Sequence, residues 1–286
     1  MPLTSHDGGA RALLDAALSG STVALAWLGQ AGFLVRHAGL RLLIDPYLSD
    51  HLARKYAGTE FPHTRMMPAP LDAAAVRDLD LVLCSHRHSD HADPGSLGPL
   101  ARGNPACRFI VPQAELAAIT SLGVPQTQLL PVNAGDILRV SEALEIQVLP
   151  AAHETFMLNA GGAHHFLGFL LRMKEFTIYH SGDCVVYHGL VERLRQQPVD
   201  LALLPVNGRS ERLRERGIAG NMTFREAVEL CREAGIGSLI PHHFGMFAFN
   251  TADPAELQRQ IECLDAAAPQ CLLPDVRSYY ELMEPP

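Results

Sequence analysis

Residues 85–91 read Ser-His-Arg-His-Ser-Asp-His, which places four side chains able to bind a metal ion, His86, His88, Asp90 and His91, within six residues. Imidazole and carboxylate donors suit Zn²⁺, with Mn²⁺ and Fe²⁺ as alternatives. The spacing has a geometric reading. In an extended segment, residues two apart point the same way, so His86 and His88 can close on one cation. The chain then turns and sends Asp90 and His91 to a neighbouring position. The bland alternative is a solvated polar loop with coincidental histidines. The apolar run Leu81–Cys84 directly before the cluster, and further candidate ligands downstream, argue against it.

Strands must deliver such loops. Ser21–Leu28, Gly32–Arg36 and Leu40–Ile44 are short apolar segments separated by glycine-containing breaks, the pattern of an antiparallel meander. Leu81–Cys84, Leu129–Val132, Ile137–Val140, Leu144–Leu149 and Leu201–Pro205 read as further strands, and Phe166–Met173 with Phe176–Tyr179 as a hairpin about Lys174-Glu175. Residues 10–18 and Ala114–Thr120 suit short helices. Thr223 and Glu226 form a capping-box pattern before a helix with Phe224, Ala227, Val228 and Cys231 on one face, closed by Gly235. Asp253-Pro254 opens a last helix. Asp50 to Pro70 is polar and aperiodic, a long loop of the kind that often forms a lid. No low-complexity linker divides the chain, so a single domain over 1–286 is expected, with sheets inside and helices outside.

Composition narrows the partners. The chain has 286 residues and a formal net charge of −8, without the basic field that nucleic acid attracts. Six cysteines include no C-x-x-C pair, which points to a reducing cytoplasm. No apolar run approaches the length of a membrane span, and no amphipathic basic helix offers an anchor. The expected partner is a small molecule, with no nucleic acid and no membrane; a homo-oligomer is left open. Histidine is abundant, with 14 residues.

The His-x-His-x-Asp-His run after a strand resembles the signature of the metallo-β-lactamase superfamily. The resemblance implies an α/β fold, a four-layer αββα sandwich, with two divalent transition-metal ions along one edge of the sheets. It also implies further ligands: His153 in Leu149-Pro150-Ala151-Ala152-His153, a bridging Asp183 in His180-Ser181-Gly182-Asp183, and a last histidine in Ile240-Pro241-His242-His243-Phe244-Gly245. On a strand His242 and His243 face opposite sides, so at most one is a ligand. The order Pro-x-His, aromatic, Gly is similar to lactonase-like and phospholipase-D-like members and selects His243. The implied metal set is His86, His88, Asp90, His91, His153, Asp183 and His243. Asp45, in Ile44-Asp45-Pro46, would support a ligand histidine, with His180 and His242 as near neighbours.

Within the superfamily, Tyr179-His180-Ser181-Gly182-Asp183, Pro205-Val206-Asn207-Gly208-Arg209, Gly220-Asn221-Met222-Thr223 and Pro241-His242-His243 resemble the branch around L-ascorbate-6-phosphate lactonase. The implied activity is metal-dependent hydrolysis, in which a metal-bound hydroxide attacks a small ester or lactone such as a sugar-acid phosphate lactone. Asp90, Asp183 and Asp45 carry the catalytic roles. Two divalent ions set against Asp90, Asp183 and a hydroxide leave a local charge of about +1, so an anionic substrate is expected despite the acidic chain. Asn207, Arg209, Asn221 and Tyr187 are the substrate-binding candidates. For Arg212, Arg214 and Arg216 a solvated face interleaved with Glu211 and Glu215 outweighs a phosphate clamp. The alternatives are a phosphodiesterase, phospholipase-D-like or nuclease, and a non-catalytic metal-binding protein on the same fold.

Overall fold

The segment Val23–Gly29 is buried at every position, which only a strand covered on both faces tolerates. Its two faces define the layers. Val23, Leu25 and Trp27 join a core shared with Ile146, Val148, Phe169 and Leu171. Ala24, Ala26 and Leu28 join a second core with Leu13, Leu97 and Leu100. The first core fills the space between two sheets, and the second lies beneath helices.

The computed structural model describes residues 3–174 and 176–282. The strands are β1 (Leu3–Asp7), β2 (Val23–Gly29), β3 (Gly32–His37), β4 (Leu40–Ile44), β5 (Leu81–Leu83), β6 (Arg108–Pro112), β7 (Leu129–Val132), β8 (Ile137–Ser141), β9 (Leu144–Pro150), β10 (Leu167–Met173), β11 (Phe176–His180), β12 (Leu201–Pro205), β13 (Ser238–His242), β14 (Gln270–Cys271) and β15 (Ser278–Leu282). The α-helices are α1 (Gly9–Asp15), α2 (His51–Lys55), α3 (Pro94–Gly103), α4 (Leu116–Thr120), α5 (Leu190–Arg195), α6 (Glu211–Arg214), α7 (Phe224–Ala234) and α8 (Pro254–Glu262). One sheet runs β1-β15-β2-β3-β4-β5-β6-β7 and the other β14-β13-β12-β11-β10-β9-β8. With helices outside both, this is an α/β sandwich of four layers.

The expected meander forms, as β2, β3 and β4 pair antiparallel. So does the hairpin, with Met173 opposite Phe176; its turn residue Glu175 lies outside the described residues. The capping box is present at α7. Thr223 Oγ1 accepts from the Glu226 amide, and Glu226 Oε2 accepts from the Thr223 amide. Gly235 ends that helix in a left-handed conformation, φ 77°.

Three expectations change. The first helix stops at Asp15, where Ala16 is extended. The 50–70 segment is not all loop, because it begins with α2. The helix α3 and strand β6 were not anticipated. The strong opening of α3 explains how it forms in spite of the internal Pro99: Pro94 occupies its first turn and the Asp93 carboxylate accepts from the Gly95 amide. No helix among the described residues is long and apolar enough to cross a membrane.

Candidate metal centre

Strand direction brings the distant histidines together. β4 and β5 are parallel, as are β11, β12 and β13, while β9 and β11 both run antiparallel to β10. The carboxyl ends of β4, β5, β9, β11 and β13 therefore carry Asp45, the 85–91 loop, His153, Asp183 and His243. Open sheets with parallel strands place ligand sites at such ends.

Asp183 lies at the middle of the assembly. Its Oδ1 is 3.3 Å from His91 Nε2 and 3.3 Å from His243 Nε2. Its Oδ2 is 3.9 Å from both His86 Nε2 and His153 Nε2. Donor atoms of His86, His88 and Asp183 lie within 4.8 Å of one another, and so do those of Asp90, His91 and His243. The His153 ring stands 5.4 Å from that of His88. The seven candidates thus form two clusters that share one carboxylate.

The rings are aimed by their far nitrogens. His91 Nδ1 donates to Asp45 Oδ2 at 2.7 Å. The Ser85 hydroxyl donates to the same oxygen at 2.6 Å and lies 3.0 Å from His86 Nδ1, in position to accept from it. Asp45 Oδ1 accepts from the Ser85 amide. One buried carboxylate therefore braces a histidine in each cluster. His153 Nδ1 is 3.2 Å from Asn221 Oδ1. His180 accepts from the Gly182 amide at Nδ1 and donates from Nε2 to the Ala31 carbonyl, which holds the turn that carries Asp183. Gly182 itself has φ 60°, and a Cβ there would meet the Leu167 carbonyl and Ser85 Cβ at 2.7 Å. Only glycine suits that position.

His242 and His243 part because β13 ends between them. His243 takes a left-handed conformation, φ 62°, and its amide donates to the Gln30 carbonyl. The turn swings its ring to Asp183. His242 stays in the sandwich, stacked on His180 with ring centroids 4.9 Å apart. Gln30 and Asp45 are also left-handed, φ 51° and 44°. Such backbone in non-glycine residues concentrates at functional sites.

Charge follows this layout. Burial, with His91 and His88 nearby, pushes His86 well below the usual histidine range. For His91 the burial penalty is outweighed by Asp183, Asp45 and Asp90, which hold it well above that range. Asp183, despite burial, is held far down by His243 and His91. Among the described residues, His86 Nε2, His91 Nε2 and Asp183 Oδ1 are buried without a hydrogen-bond partner. Buried polar atoms are rarely left so. Imidazole nitrogens and carboxylates that converge in this way, with some left unpartnered, are what divalent cations would satisfy by taking the place of the ring protons, so the residues present fit two metal positions.

Other sequence candidates stand elsewhere. A cavity of about 500 Å³ opens over His88, Asp90, His153, Asp183 and His243, and none of Asn207, Arg209, Asn221 and Tyr187 is among the residues lining it. Asn221 is fully buried behind His153 and donates to Asn207 Oδ1. Asn207 in turn donates to Asn250. The Tyr187 hydroxyl donates to the Pro150 carbonyl. Arg209 forms a two-pronged pair with Glu226, at 2.5 and 2.9 Å. Arg214 pairs with Glu154 and Arg216 with Glu60, whose carboxylate is 3.8 Å from Arg212. These arginines face carboxylates and stand outside the cavity lining. Two contributors were missed. Gln30 Nε2 donates to Asp90 Oδ2 at 2.7 Å and lies 3.1 Å from His243 Nε2. Its only signal is a polar residue in the otherwise apolar Trp27–Phe33 stretch. Tyr56, His63, Phe247 and Phe249 line the cavity with no periodicity to announce them.

Comparison with known proteins agrees with this geometry. The family model described as the beta-lactamase superfamily domain matches residues 40–244. A UPF0173 metal-dependent hydrolase of Pyrobaculum aerophilum is 28% identical over 242 residues, 84% of this chain and 92% of that protein. A probable L-ascorbate-6-phosphate lactonase of Escherichia coli O127:H6 is 25% identical over 269 residues, 83% of this chain and 73% of that one. Among solved structures, Igni18, a metallo hydrolase from Ignicoccus hospitalis, superposes with a TM-score of 0.66 at 21% identity, covering 93% of this chain and all of its own.

Proposed function

The chain belongs to the β-lactamase superfamily and is a metal-dependent hydrolase, and from that premise we propose that it cleaves a small ester or lactone. The observation that carries the reading is Asp183, shared by two His/Asp clusters at the floor of an open cavity, each with a buried imidazole nitrogen, His86 Nε2 or His91 Nε2, that has no hydrogen-bond partner among the described residues. Two divalent ions held by His86, His88, His153 and Asp183, and by Asp90, His91, His243 and Asp183, would supply Lewis acidity and an activated water. Zinc suits the donors, with manganese or iron as alternatives.

The protein's own groups do the rest. Asp45 fixes the ring of His91 directly and that of His86 through Ser85, so both keep Nε2 free for the cavity side. Asn221 does the same for His153. Asp90 is 17% exposed and lines the cavity, where it can pass a proton to a leaving oxygen. Gln30 holds that carboxylate in place from behind. A phosphate-bearing substrate is the weaker choice, since Arg209, Arg212, Arg214 and Arg216 already face carboxylates. The acidic net charge likewise disfavours a nucleic-acid phosphodiester. The cysteines are all free thiols, which supports a cytoplasmic setting.

The test is metal analysis of the purified protein, followed by a panel of simple esters, lactones, thioesters and phosphodiesters with Zn²⁺ and Mn²⁺ in parallel. The reading expects one or two bound ions per chain and turnover of esters or lactones. Turnover of phosphodiesters alone would replace it with the phosphodiesterase reading. A fully metal-loaded protein inert on every arm would favour a binding role.

A further inference from the structure

The same cavity that has the ligands as its floor has an aromatic wall. Two segments far apart in sequence build it. Tyr56 and His63 come from the 50–70 segment, and Phe247 and Phe249 follow β13. His63 stacks on Tyr56 at 4.2 Å and meets Phe247 and Phe249 edge-on at 4.9 and 4.7 Å. His63 Nδ1 donates to the Phe61 carbonyl at 2.7 Å, and burial keeps this imidazole below its ordinary pKa, so it is a neutral ring at pH 7. The wall is held in place from both sides. Arg216 donates to Glu60, and the Met66 amide donates to the Met246 carbonyl.

Charge is scarce on this side of the cavity. Of the lining cations, Arg87 lies 3.4 Å from Glu115, and Lys55 Nζ rests 4.9 Å over the Tyr56 ring. A multiply charged substrate would find only these two cationic side chains, Lys55 and Arg87, among the lysines and arginines that line the cavity. A flat apolar group would find the partly exposed rings of Tyr56, His63 and Phe249, backed by the buried Phe247, to pack on and would leave water behind.

We infer that the wall formed by Tyr56, His63, Phe247 and Phe249 is the subsite for a flat, apolar, aryl-type group next to the scissile bond, so that the substrate class is an aryl-bearing ester or lactone. The inference rests on the ester-hydrolase reading above, and its test separates the two. Initial rates are measured on the metal-loaded protein with methyl acetate, monomethyl succinate, methyl phenylacetate and benzyl acetate, each normalised to its hydroxide-catalysed rate. At least one aryl probe should exceed methyl acetate and monomethyl succinate tenfold or more in kcat/KM, mainly through KM. Phe249→Leu and Tyr56→Leu, checked for folding by thermal melting, should each lower that preference at least fivefold.

A second arm needs no turnover. Saturation-transfer NMR with 2-phenylacetamide should show binding to the wild type that weakens in Phe249→Leu. Esters hydrolysed with no aryl preference, or with monomethyl succinate preferred, would overturn the subsite and leave the hydrolase reading standing. No ester hydrolysed, with 2-phenylacetamide bound and lost in Phe249→Leu, would overturn the ester-hydrolase reading and leave the aryl subsite. Absence of both overturns the inference.

Discussion

The two halves of the centre are built alike and held differently. In one, His91 is gripped by Asp45, while Asp90 and His243 are both touched by Gln30. His91 and His243 are buried there, 0% and 3% exposed. In the other, His86 has Ser85 and His153 has Asn221, but His88 has only ring contacts with His86, His153 and Phe166 among the described residues. Ligands of both halves line the cavity, but His88 is the one that stands exposed, which makes its half the open one. The difference teaches that ligand count alone does not describe a metal site. The closed half is preorganised by hydrogen bonds that lock ring orientation and tautomer, and the open half leaves one ligand freer to move.

Removing what the halves share has the largest expected effect. Asp183→Ala should empty both positions, and activity should fall more than about 100-fold, beyond what outer partners alone provide. Elemental analysis beside kinetics checks it; a variant that keeps one ion per chain would break the symmetry argued for Asp183. Asp45→Asn comes next. An amide can present an NH₂ where His91 needs an acceptor, and the same change disturbs Ser85 and so His86. Metal affinity should drop about 10–100-fold, read by competition with a chelating dye. Among the metal ligands Asn221→Ala touches His153 alone, so a loss of about tenfold is expected, at the low end of that range, and confined to the ion released first. Equal losses of both ions in Asn221→Ala would erase the distinction between the halves.

The legibility of these features in the sequence follows from how local each one is. The 85–91 run could be read because its ligands are neighbours in the chain. His153, Asp183 and His243 carry no such signature alone, and only their order after strands singled them out. The choice of His243 shows the limit of periodicity. Strand alternation places His242 and His243 on opposite faces, but a left-handed residue at the end of β13 is what turns His243 to the metal side. Gln30 and Asn221 were unreadable in their actual roles because a single polar side chain becomes a brace only when two sheets meet. The arginines invited a local reading with Glu211 and Glu215. Their partners instead are Glu60 and Glu154, brought in by tertiary structure, and Glu226, which the capping box had already placed at the same helix start. The strands and α7 were legible because burial on both faces leaves a continuous apolar run, and burial on one stripe leaves a periodic mark. Pro99 inside α3 hid a helix that its cap and first-turn proline secure.

The rim offers the smallest effect and a contrast with the buried carboxylates. Glu226 faces solvent at 30% exposure, joined to Arg209 and to the Thr223 amide and hydroxyl. The Arg209 hydrogen bond, ahead of the burial penalty and the Thr223 bonds, draws the Glu226 carboxyl down to about 2. Because its folded pKa lies below its unfolded one, the stability it contributes is complete above the ordinary glutamate pKa of about 4.3 and is lost as pH falls from there toward about 2. Glu226→Gln removes the charge and keeps a side chain able to close the capping box. An exposed pair contributes at most about 1 kcal/mol, so at pH 7 the variant should melt about 1–3 °C lower. That gap should narrow steadily between pH 4.5 and 2.5, where Glu226 of the unfolded chain takes up its proton before the folded one does. Paired melts at pH 7, 4.5, 3.5 and 2.5, run on protein stripped of metal so that metal loss on acidification does not enter and ligand titration is common to both proteins, measure it. No gap anywhere in that window would mean that Glu226 acts through the capping box alone, which Gln also closes, and that the rim, like the closed half of the centre, is held by hydrogen bonds rather than by charge.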